Sequence, residues 1–305
     1  MATLRDVAAQ AGVAISTVSR VLNARPDASV SAPVRKRIHQ VAKDLGYRPN
    51  HYARGLVRGH GSQVALVFWS AAYQVASRRL RAIEHALTPL DHPVVSTDAA
   101  SLPHGAQPLL DLLTPQLPEA VVFVGVTIPT EPIAEVVEEL RERDVQCVIA
   151  DTAQYVVTDL PCDVIRADRH QGMTLAMEHL LSLGHREIGL IHWHTEPERY
   201  APYEDALQEA GISSRYTAFT DIASDDEAYY ALGTQAAERT RELLEENPQI
   251  TALCCRNDLL ALGAMQGLQS LGLRVPEDLS IIGFDNDPWT SLLPVPLTTM
   301  AAPLA

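Results

Sequence analysis

Cysteines and long apolar runs are scarce in this chain of 305 residues. None of the four cysteines has the C-x-x-C or Cys…His spacing of a metal site, so we interpret them as buried thiols of a reducing compartment. They are Cys147, Cys162, Cys254 and Cys255. The longest apolar runs, such as Ala120–Val126, are far shorter than the ~20 residues of a membrane helix, and no charged-then-apolar leader follows Met1. The sequence predicts a soluble, cytoplasmic protein.

Signatures of enzymes are missing as well: the chain has no G-x-S-x-G, no G-x-x-x-x-G-K-[ST] and no G-x-G-x-x-G. An enzymatic alternative would use Asp168, Asp285 and His192 as acid–base groups in a cleft. His192 and His194 make a poor metal site, because alternate residues leaving a strand point to opposite faces and no third ligand has diagnostic spacing. We expect no catalytic residues, no metal and no cofactor.

Charge is distributed unevenly along the chain. Residues 1–62 contain ten basic residues against three acidic ones, a net charge of +7, and residues 63–305 hold the other 14 basic and 35 acidic residues, a net charge of −21. The overall pI near 5.2 would argue against nucleic acid. A basic segment attached to an acidic body instead favours a nucleic-acid-binding module.

The basic segment has the spacing of three short helices. Apolar residues recur at helical intervals up to Gly12, which breaks the first helix, then in a second helix, and then in a third helix from Ser31 whose outer face is basic. Three short helices that share one small core are what a helix-turn-helix DNA reader requires. A small helical bundle for protein contact is the alternative.

The second of these helices carries the side chains suited to DNA. It opens with Ser16 and Thr17, whose hydroxyls and free backbone N–H groups suit phosphates or base edges. Arg20 lies one turn further along the same face. We interpret this segment as a recognition helix.

The junction between the basic segment and the acidic body reads PNHYARGLVRGHG from Pro49 to Gly61. Asn50 can cap a helix of two to three turns that the two glycines end. A helix this short is marginal alone in water and forms only when something packs against it. The alternative is a flexible linker.

In the body, short runs rich in Val and Ile, such as Ile188–His192, alternate with helical patterns, such as one near 203–210. The alternation runs first from 64 to 151 and again from 164 to 284. This alternation predicts parallel sheets with helices on both faces, divided into two doubly wound lobes. Ligands of such sheets bind beyond the carboxyl ends of the strands. The candidates at those ends are Trp69, Ser70, Asp151, Asp168, His192 to His194, Asn257, Asp258, Asp285 and Asn286. Carboxylates and amides of this kind suit sugar-like hydroxyls, and Trp69, Trp193 and Trp289 could offer flat faces to a sugar ring.

The basic segment resembles the lac/galactose repressor (LacI/GalR) family of bacterial transcription regulators. The resemblance lies in TLRDVAAQAGVAISTVSRVLN and LGYRPNHYARGLV. It implies base reading by Ile15, Ser16 and Arg20, phosphate and supporting contacts by Thr17, Ser19 and Asn23, and a hinge helix with Asn50, Ala53 and Leu56. In this family the hinge leucine is a wedge in the minor groove, so the resemblance favours the hinge over a linker.

The body resembles the same family's effector-binding core, a periplasmic-binding-protein-like fold. The matching stretches include DRHQGMTLAMEHLLSLGHREIGLI, RYAPYEDALQEAGI and RNDLLALGAMQGLQSLGLRVPEDLSIIGFDN. On the matched positions, Asp168, Arg199, Asn257 and Asp285 would line the cleft between the lobes, with Arg199 binding a hydroxyl or carboxylate bidentately. Asp258 would cap the helix that it starts.

Two departures from the family pattern adjoin this cleft: WSAAYQVAS after the first strand, and Pro202-Tyr203 in place of Gly-Tyr. The resemblance therefore names no particular sugar. Relatives also continue for about 30 to 35 residues beyond the point where this chain ends at Ala305, so its C-terminus is expected to be short.

These observations predict an all-α helix-turn-helix head and an α/β periplasmic-binding-protein-like body. We expect a DNA-binding domain at 1–48, a hinge helix and linker at 49–62, and an effector-binding and dimerisation domain at 63–305. Lobe 1 would span about 63–161 and 290–305, and lobe 2 about 162–289. The expected function is a homodimeric repressor that binds palindromic operator DNA under the control of a sugar-like effector. A DNA-bound architectural protein without a ligand is the other class.

Overall fold

The structure is a computed structural model that describes residues 2–22, 30–47, 63–69, 74–90, 92–116, 118–126, 130–152, 160–193, 197–220 and 226–301. The chain forms two compact units, Met1–Gly61 and Ser62–Ala305.

The first unit contains the three predicted helices, Leu4–Ala11 (α1), Ile15–Leu22 (α2) and Ala32–Asp44 (α3). A capping box between Thr3 and Asp6 starts α1, and Gly12 ends it in the left-handed conformation with φ of 63°. One small core joins the three helices through buried side chains. These are Val7, Ala8, Ala11, Val18, Val21, Ile38 and Ala42.

The second unit contains two parallel five-stranded sheets, which define the two lobes. The strands of lobe 1 are Val64–Phe68 (β1), Val94–Asp98 (β2), Ala120–Val126 (β3), Gln146–Thr152 (β4) and Asp163–Ile165 (β5). Those of lobe 2 are Ile188–Trp193 (β6), Tyr216–Thr220 (β7), Ala252–Cys255 (β8), Ser280–Asp285 (β9) and Thr298–Ala301 (β10). The strand orders are β2-β1-β3-β4-β5 and β7-β6-β8-β9-β10, so the same winding occurs twice.

Helices cover these sheets. They are Gln74–Leu87 (α4), Ala106–Leu113 (α5), Thr130–Glu142 (α6), Arg169–Ser182 (α7), Pro197–Glu209 (α8), Asp226–Glu246 (α9) and Asp258–Ser270 (α10), with short 3₁₀ turns at Thr88–Leu90, Thr114–Gln116 and Pro288–Leu292. The lobe 2 sheet has a separate apolar core on each face, one that includes α9 and α10 residues and one that includes α7 and α8 residues. Two covered faces explain why its strands read as continuous apolar runs.

The division between the lobes differs from the expected one at two strands. β10 pairs in parallel with β9, from Thr298 opposite Ile282 to Ala301 opposite Asp285, so 298–301 belongs to lobe 2 and not to lobe 1. β5 pairs with β4 and therefore belongs to lobe 1, although 162–289 had been assigned to lobe 2. In both cases the hydrogen-bonded neighbour of the strand decides its lobe.

Two glycines allow α10 to pack directly on the backbone of α9. A Cβ atom on Gly263 would overlap the carbonyl oxygen of Gly233, and one on Gly267 would lie 2.6 Å from the carbonyl oxygen of Ala237. Real Cβ atoms do not approach backbone oxygens so closely. Both positions therefore require glycine as long as the two helices keep this separation.

Candidate functional site

The described part of the predicted DNA-reading surface lies on α2. Ile15 is 45% exposed, and Ser16 and Arg20 are also exposed, while Val18 and Val21 face the core. The Arg20 Nε–H donates to the Ser16 carbonyl oxygen at 3.3 Å. The helix thus presents polar side chains on the face opposite its apolar contacts, as a recognition helix does.

Thr17 and Ser19 are partly buried beside this face. The backbone N–H of Thr17 donates to the Ala14 carbonyl oxygen at 2.9 Å, so the expectation of a free N–H at this residue is wrong and its hydroxyl is the group available to DNA. The other predicted DNA contacts, Asn23, Asn50, Ala53 and Leu56, lie outside the described residues.

The strand orders of the second unit locate its crevices. In each sheet the order reverses beside the first strand of the lobe, between β1 and β3 and between β6 and β8. Ligands of doubly wound sheets bind at the carboxyl ends of the strands at such a reversal. In lobe 2 this edge carries Trp193, Arg256 and Asn257, with Asp285 at the end of β9.

Arg199 reaches this edge from α8. Its side chain is only 5% exposed, and its guanidinium carbon lies 4.4 Å from the centroid of the Phe284 ring. A Cβ atom on Gly172, in the first turn of α7, would lie 3.3 Å from the same ring. Arg199 is therefore positioned by an aromatic face near the N-terminus of α7.

Asn257 follows β8 and is the N-cap of α10. Its Oδ1 accepts from the Leu260 N–H at 2.9 Å, and the residue is 1% exposed. Within the described residues its Nδ2 has no hydrogen-bond acceptor. This arrangement corrects the expectation that Asp258 caps the helix, because the cap is the preceding residue.

Asp285 ends β9 in an unusual backbone conformation. Its φ is 100° and that of Asn286 is 50°, both in the left-handed region that side chains other than glycine rarely adopt. Strain of this kind persists only where the surroundings hold it, and it concentrates at functional sites. The turn that follows β9 is thus a strained segment next to a predicted effector residue.

Two hydrogen bonds from lobe 2 hold this strained turn, and a third joins the two residues that accept them. The Asn286 N–H donates to Thr299 Oγ1 at 3.2 Å, and the Asp287 N–H donates to Asp258 Oδ2 at 2.8 Å. The Thr299 hydroxyl in turn donates to Asp258 Oδ1 at 2.6 Å. Burial raises the pKa of the fully buried Asp258 to about 7, and burial raises the pKa of Asp287 to about 6.

Lobe 1 holds the same turn through Arg78 of α4. Its Nη1 donates to the carbonyl oxygens of Asp285 at 3.1 Å and of Asn286 at 2.8 Å, and it lies 3.9 Å from Asp287 Oδ1. No local pattern pointed to Arg78, because its acceptors are about 200 residues away in the chain.

Asp168 is the N-cap of α7, where its Oδ1 accepts from the Gln171 N–H at 2.8 Å. The carboxylate is exposed at the start of that helix. Next to it, Arg169 Nη1 lies 3.9 Å from Glu198 Oε2. Asp168 therefore has a structural role as a cap in addition to the effector contact predicted for it.

Of the three predicted aromatic platforms, two are packed inside the lobes, and Trp289 is half-buried. Trp69 is 6% exposed in the core of lobe 1, 6.3 Å from the Phe123 ring centroid, which favours packing over the predicted ligand contact. Tyr203 is fully buried and donates to the Ile188 carbonyl oxygen at 2.8 Å. The Pro202-Tyr203 departure thus belongs to the core of lobe 2 and does not line the cleft.

Trp193 is also buried, but its ring carries a charged partner that the sequence analysis missed. The guanidinium carbon of Arg256 lies 3.3 Å from the centroid of the Trp193 ring. The rule that selected Asn257, a polar residue directly after a central strand, also applies to Arg256, which directly precedes Asn257 but was not among the candidates.

His192, the proposed acid–base or metal group, is 2% exposed and stacks on Tyr200, with ring centroids 5.4 Å apart. Over the described ranges, no three His, Cys, Asp or Glu side chains are grouped to hold a metal ion. No helix in the part of the chain that the structure describes is long and apolar enough to cross a membrane.

Comparisons with known proteins agree with this architecture. Residues 3–50 match the bacterial regulatory proteins of the lacI family, and residues 177–305 match the periplasmic binding protein-like domain. Catabolite control protein A of Priestia megaterium is 30% identical over 99% of this chain and 88% of the relative.

Two solved structures extend the comparison. The Lac repressor dimer bound to operator and the anti-inducer ONPF aligns with a TM-score of 0.79 and 26% identity over 99% of this chain and 88% of that one. The complex of the transcriptional regulator CelR with cellobiose aligns with a TM-score of 0.67 and 25% identity over 100% and 89%. The three-helix head, the two parallel lobes and these matches show that the chain belongs to the lacI family of bacterial regulatory proteins and is a DNA-binding transcriptional regulator.

Proposed function

We propose that this regulator is a repressor whose operator affinity is controlled by a small, sugar-like metabolite bound between its two lobes. The observation that carries the proposal is the grouping of Arg199, Asn257 and Asp285 at the carboxyl edge of the lobe 2 sheet. A guanidinium, an amide and a carboxylate together offer donors and acceptors to the hydroxyls of a sugar. The CelR structure, which contains cellobiose, supports a ligand of this class.

DNA binding belongs to the head. Its exposed Ile15, Ser16 and Arg20 would read base edges, and the net charge of +7 on residues 1–62 favours contact with phosphates. Two heads on a two-fold dimer would read a palindromic operator, as the operator-bound Lac repressor dimer supports. The body, with a net charge of −21, is repelled by DNA and would supply the dimer contact.

The cleft binds its ligand without converting it. The enzyme alternative has no nucleophile within a known motif, and its proposed base His192 is buried in an aromatic stack. A protein that binds operator DNA would act in the cytoplasm.

The test combines operator binding, calorimetry and a turnover assay on the same preparation of full-length protein. We expect at least one sugar of a panel to bind, to change operator affinity, and to be recovered unaltered. A converted sugar would favour the enzyme class, and binding of no ligand with constant operator affinity would favour an architectural protein. Residues 63–305 alone should not bind the operator, and binding by that fragment would contradict the division of roles.

A further inference from the structure

The strand-order reversal of lobe 2 carries an arginine stacked on a tryptophan. Arg256 directly follows β8, and Trp193 is the last residue of the neighbouring strand β6. Arg256 is 9% exposed and Trp193 is 4% exposed. A distance of 3.3 Å from the guanidinium carbon to the ring centroid requires the two planes to lie nearly parallel. The Arg256 backbone N–H is fixed as well, since it donates to the Ile191 carbonyl oxygen at 2.9 Å. The guanidinium N–H groups are thus held in one orientation, along the plane of the indole.

A second hydrogen-bond donor follows directly in the chain. The Asn257 amide uses Oδ1 to cap α10, so its Nδ2 faces away from the first turn of that helix. Nδ2 is buried and has no acceptor within the described residues. A buried donor without an acceptor costs about 1–3 kcal/mol, so native proteins rarely retain one without a ligand or water to satisfy it.

The surrounding charges also favour an anion at this point. The 13-residue helix α10 begins here and contributes the partial positive charge of its N-terminus. The carboxyl group of Asp258, the next residue in the chain, is engaged elsewhere, because its two oxygens accept from Thr299 and from the Asp287 N–H. Arg199 adds a further positive charge, which acts on the thiol of Cys254, two residues before Arg256.

We propose that the effector carries an anionic oxygen group, a carboxylate or a phosphate, which Arg256 and Asn257 Nδ2 bind, while the hydroxyls of the same molecule face Asp285. This inference rests on the proposed function of the cleft and names the class of its ligand. A planar guanidinium matches carboxylate and phosphate oxygens bidentately, which a neutral hydroxyl cannot do. A guanidinium has five N–H donors, so it can bind the anion in addition to groups of the protein.

The experiment compares ligands that differ only in the anionic group. Calorimetry on the protein would measure the affinities of D-glucose, D-glucuronate and D-glucose 6-phosphate, and those of D-ribose and D-ribose 5-phosphate. We expect the anionic member of at least one pair to bind about tenfold or more tightly than its neutral partner. Comparison of the carboxylate-bearing sugar with the sugar phosphates then shows whether the anionic group is a carboxylate or a phosphate.

Arg256→Met keeps an unbranched side chain on the Trp193 ring and removes the charge. It should abolish the preference for the anionic ligand, and Arg256→Lys should retain part of it. Arg241→Met removes an exposed arginine of α9 and should leave the preference intact. Thermal unfolding and operator binding check that the variants fold.

Three results would contradict either the anionic-ligand inference or the proposed function. Equal affinity for neutral and anionic partners would overturn the inference and leave the proposed function in place. An unchanged anionic preference in Arg256→Met would show that another group holds the anion and would also overturn it. If no neutral or anionic ligand binds the wild type, the proposed function itself fails. If Arg256→Met does not fold, the wild-type ligand pairs and Arg256→Lys still decide the question.

Discussion

Arg78 Nη1 lies 3.1 Å from the carbonyl oxygen of Asp285, and the two residues belong to different lobes. The same nitrogen lies 2.8 Å from the Asn286 carbonyl oxygen, so lobe 1 is bonded directly to the strained turn that ends β9. Rotation of one lobe against the other must either break these bonds or move the turn. Because Asp285 is a proposed effector residue, Arg78 provides a physical connection between the cleft and lobe 1.

This connection predicts the behaviour of Arg78→Met. Loss of both bonds should lower the coupling between effector and operator. The factor by which effector changes operator affinity is roughly 5–150-fold in allosteric proteins, and we expect it to fall severalfold in this variant. Fluorescence anisotropy of a labelled operator, with and without effector, measures this factor. Arg81→Met, an exposed arginine on the same helix, is the matched control. The connection is irrelevant to regulation if the two variants show the same factor.

The cleft residues themselves should separate regulation from repression. We expect Arg199→Ala and Asp285→Asn to abolish the effector response while operator affinity without effector stays within about twofold, because the role proposed for these groups is to bind the ligand and not the DNA. Asparagine is chosen at position 285 because it tolerates a left-handed backbone better than most residues. Operator titrations over an effector series provide the measurement. Wild-type responses from both variants would place the effector elsewhere.

Base reading by the head gives a third expectation. Arg20→Ala should cost roughly 1–3 kcal/mol of operator binding and relax the preference at one base pair, because a single arginine reads one guanine bidentately. Lys36→Ala, on the exposed face of α3, should weaken binding evenly across sequences. In vitro selection of operators reports both effects. An unchanged sequence preference for the Arg20 variant would remove this residue from the reading surface.

Stability should depend on pH through Asp258. Burial raises its pKa in the folded protein to about 7, above the ordinary value of 3.8, so folding favours the protonated carboxyl. Its contribution to stability is complete below pH 4 and is lost as the pH rises from 4 to 7. The difference in unfolding free energy between wild type and Asp258→Asn should therefore fall over that window, by about 1 kcal/mol per pH unit.

Urea unfolding at several pH values measures this difference. Asp278→Asn is the control, because Arg274 lowers the pKa of the exposed Asp278 and moves its titration below the window. If the difference in unfolding free energy between wild type and Asp258→Asn stays constant between pH 4 and 7, Asp258 is ionised in the folded protein over that whole range.

The hinge prediction rests on the sequence, since residues 50–58 lie outside the described residues. A helix of two to three turns is too short to persist alone and should fold when two copies pack over the minor groove. Leu56→Ala should weaken specific binding more than non-specific binding, because unstacking by the leucine occurs only in the specific complex. Amide hydrogen exchange across 50–58 should show protection only with operator. Equal protection without DNA would mean a preformed hinge.

Local pattern predicted most of the fold because the strands of both lobes are short, apolar and separated by amphipathic helices. The prediction for β6 was Ile188–His192, and the strand ends one residue later. α8 was the main error: it begins at Pro197, whereas the sequence analysis placed it near 203–210. The misleading signal was Pro202, which lies inside the helix although proline usually begins or interrupts one.

The site was less predictable than the fold. Strand ends selected Asn257 and Asp285 as candidates, since position after a strand is a local property. The contact of Arg78 with the turn after β9, and the stacking of Arg256 on Trp193, depend on how distant segments meet. No periodicity or motif in the sequence predicts such contacts.

The glycines at the α9–α10 contact bear on how mutants of this regulator would be classified in a genetic screen. A constitutive allele at Gly263 or Gly267 would lose repression because a Cβ atom forces the two helices apart, and it would lower the amount of folded protein in the cell. An allele at Arg199 would instead leave the amount of folded protein and the effector-free operator affinity intact and would abolish the response to effector. Immunoblotting of each isolate would therefore separate folding alleles from true signalling alleles before any ligand is known.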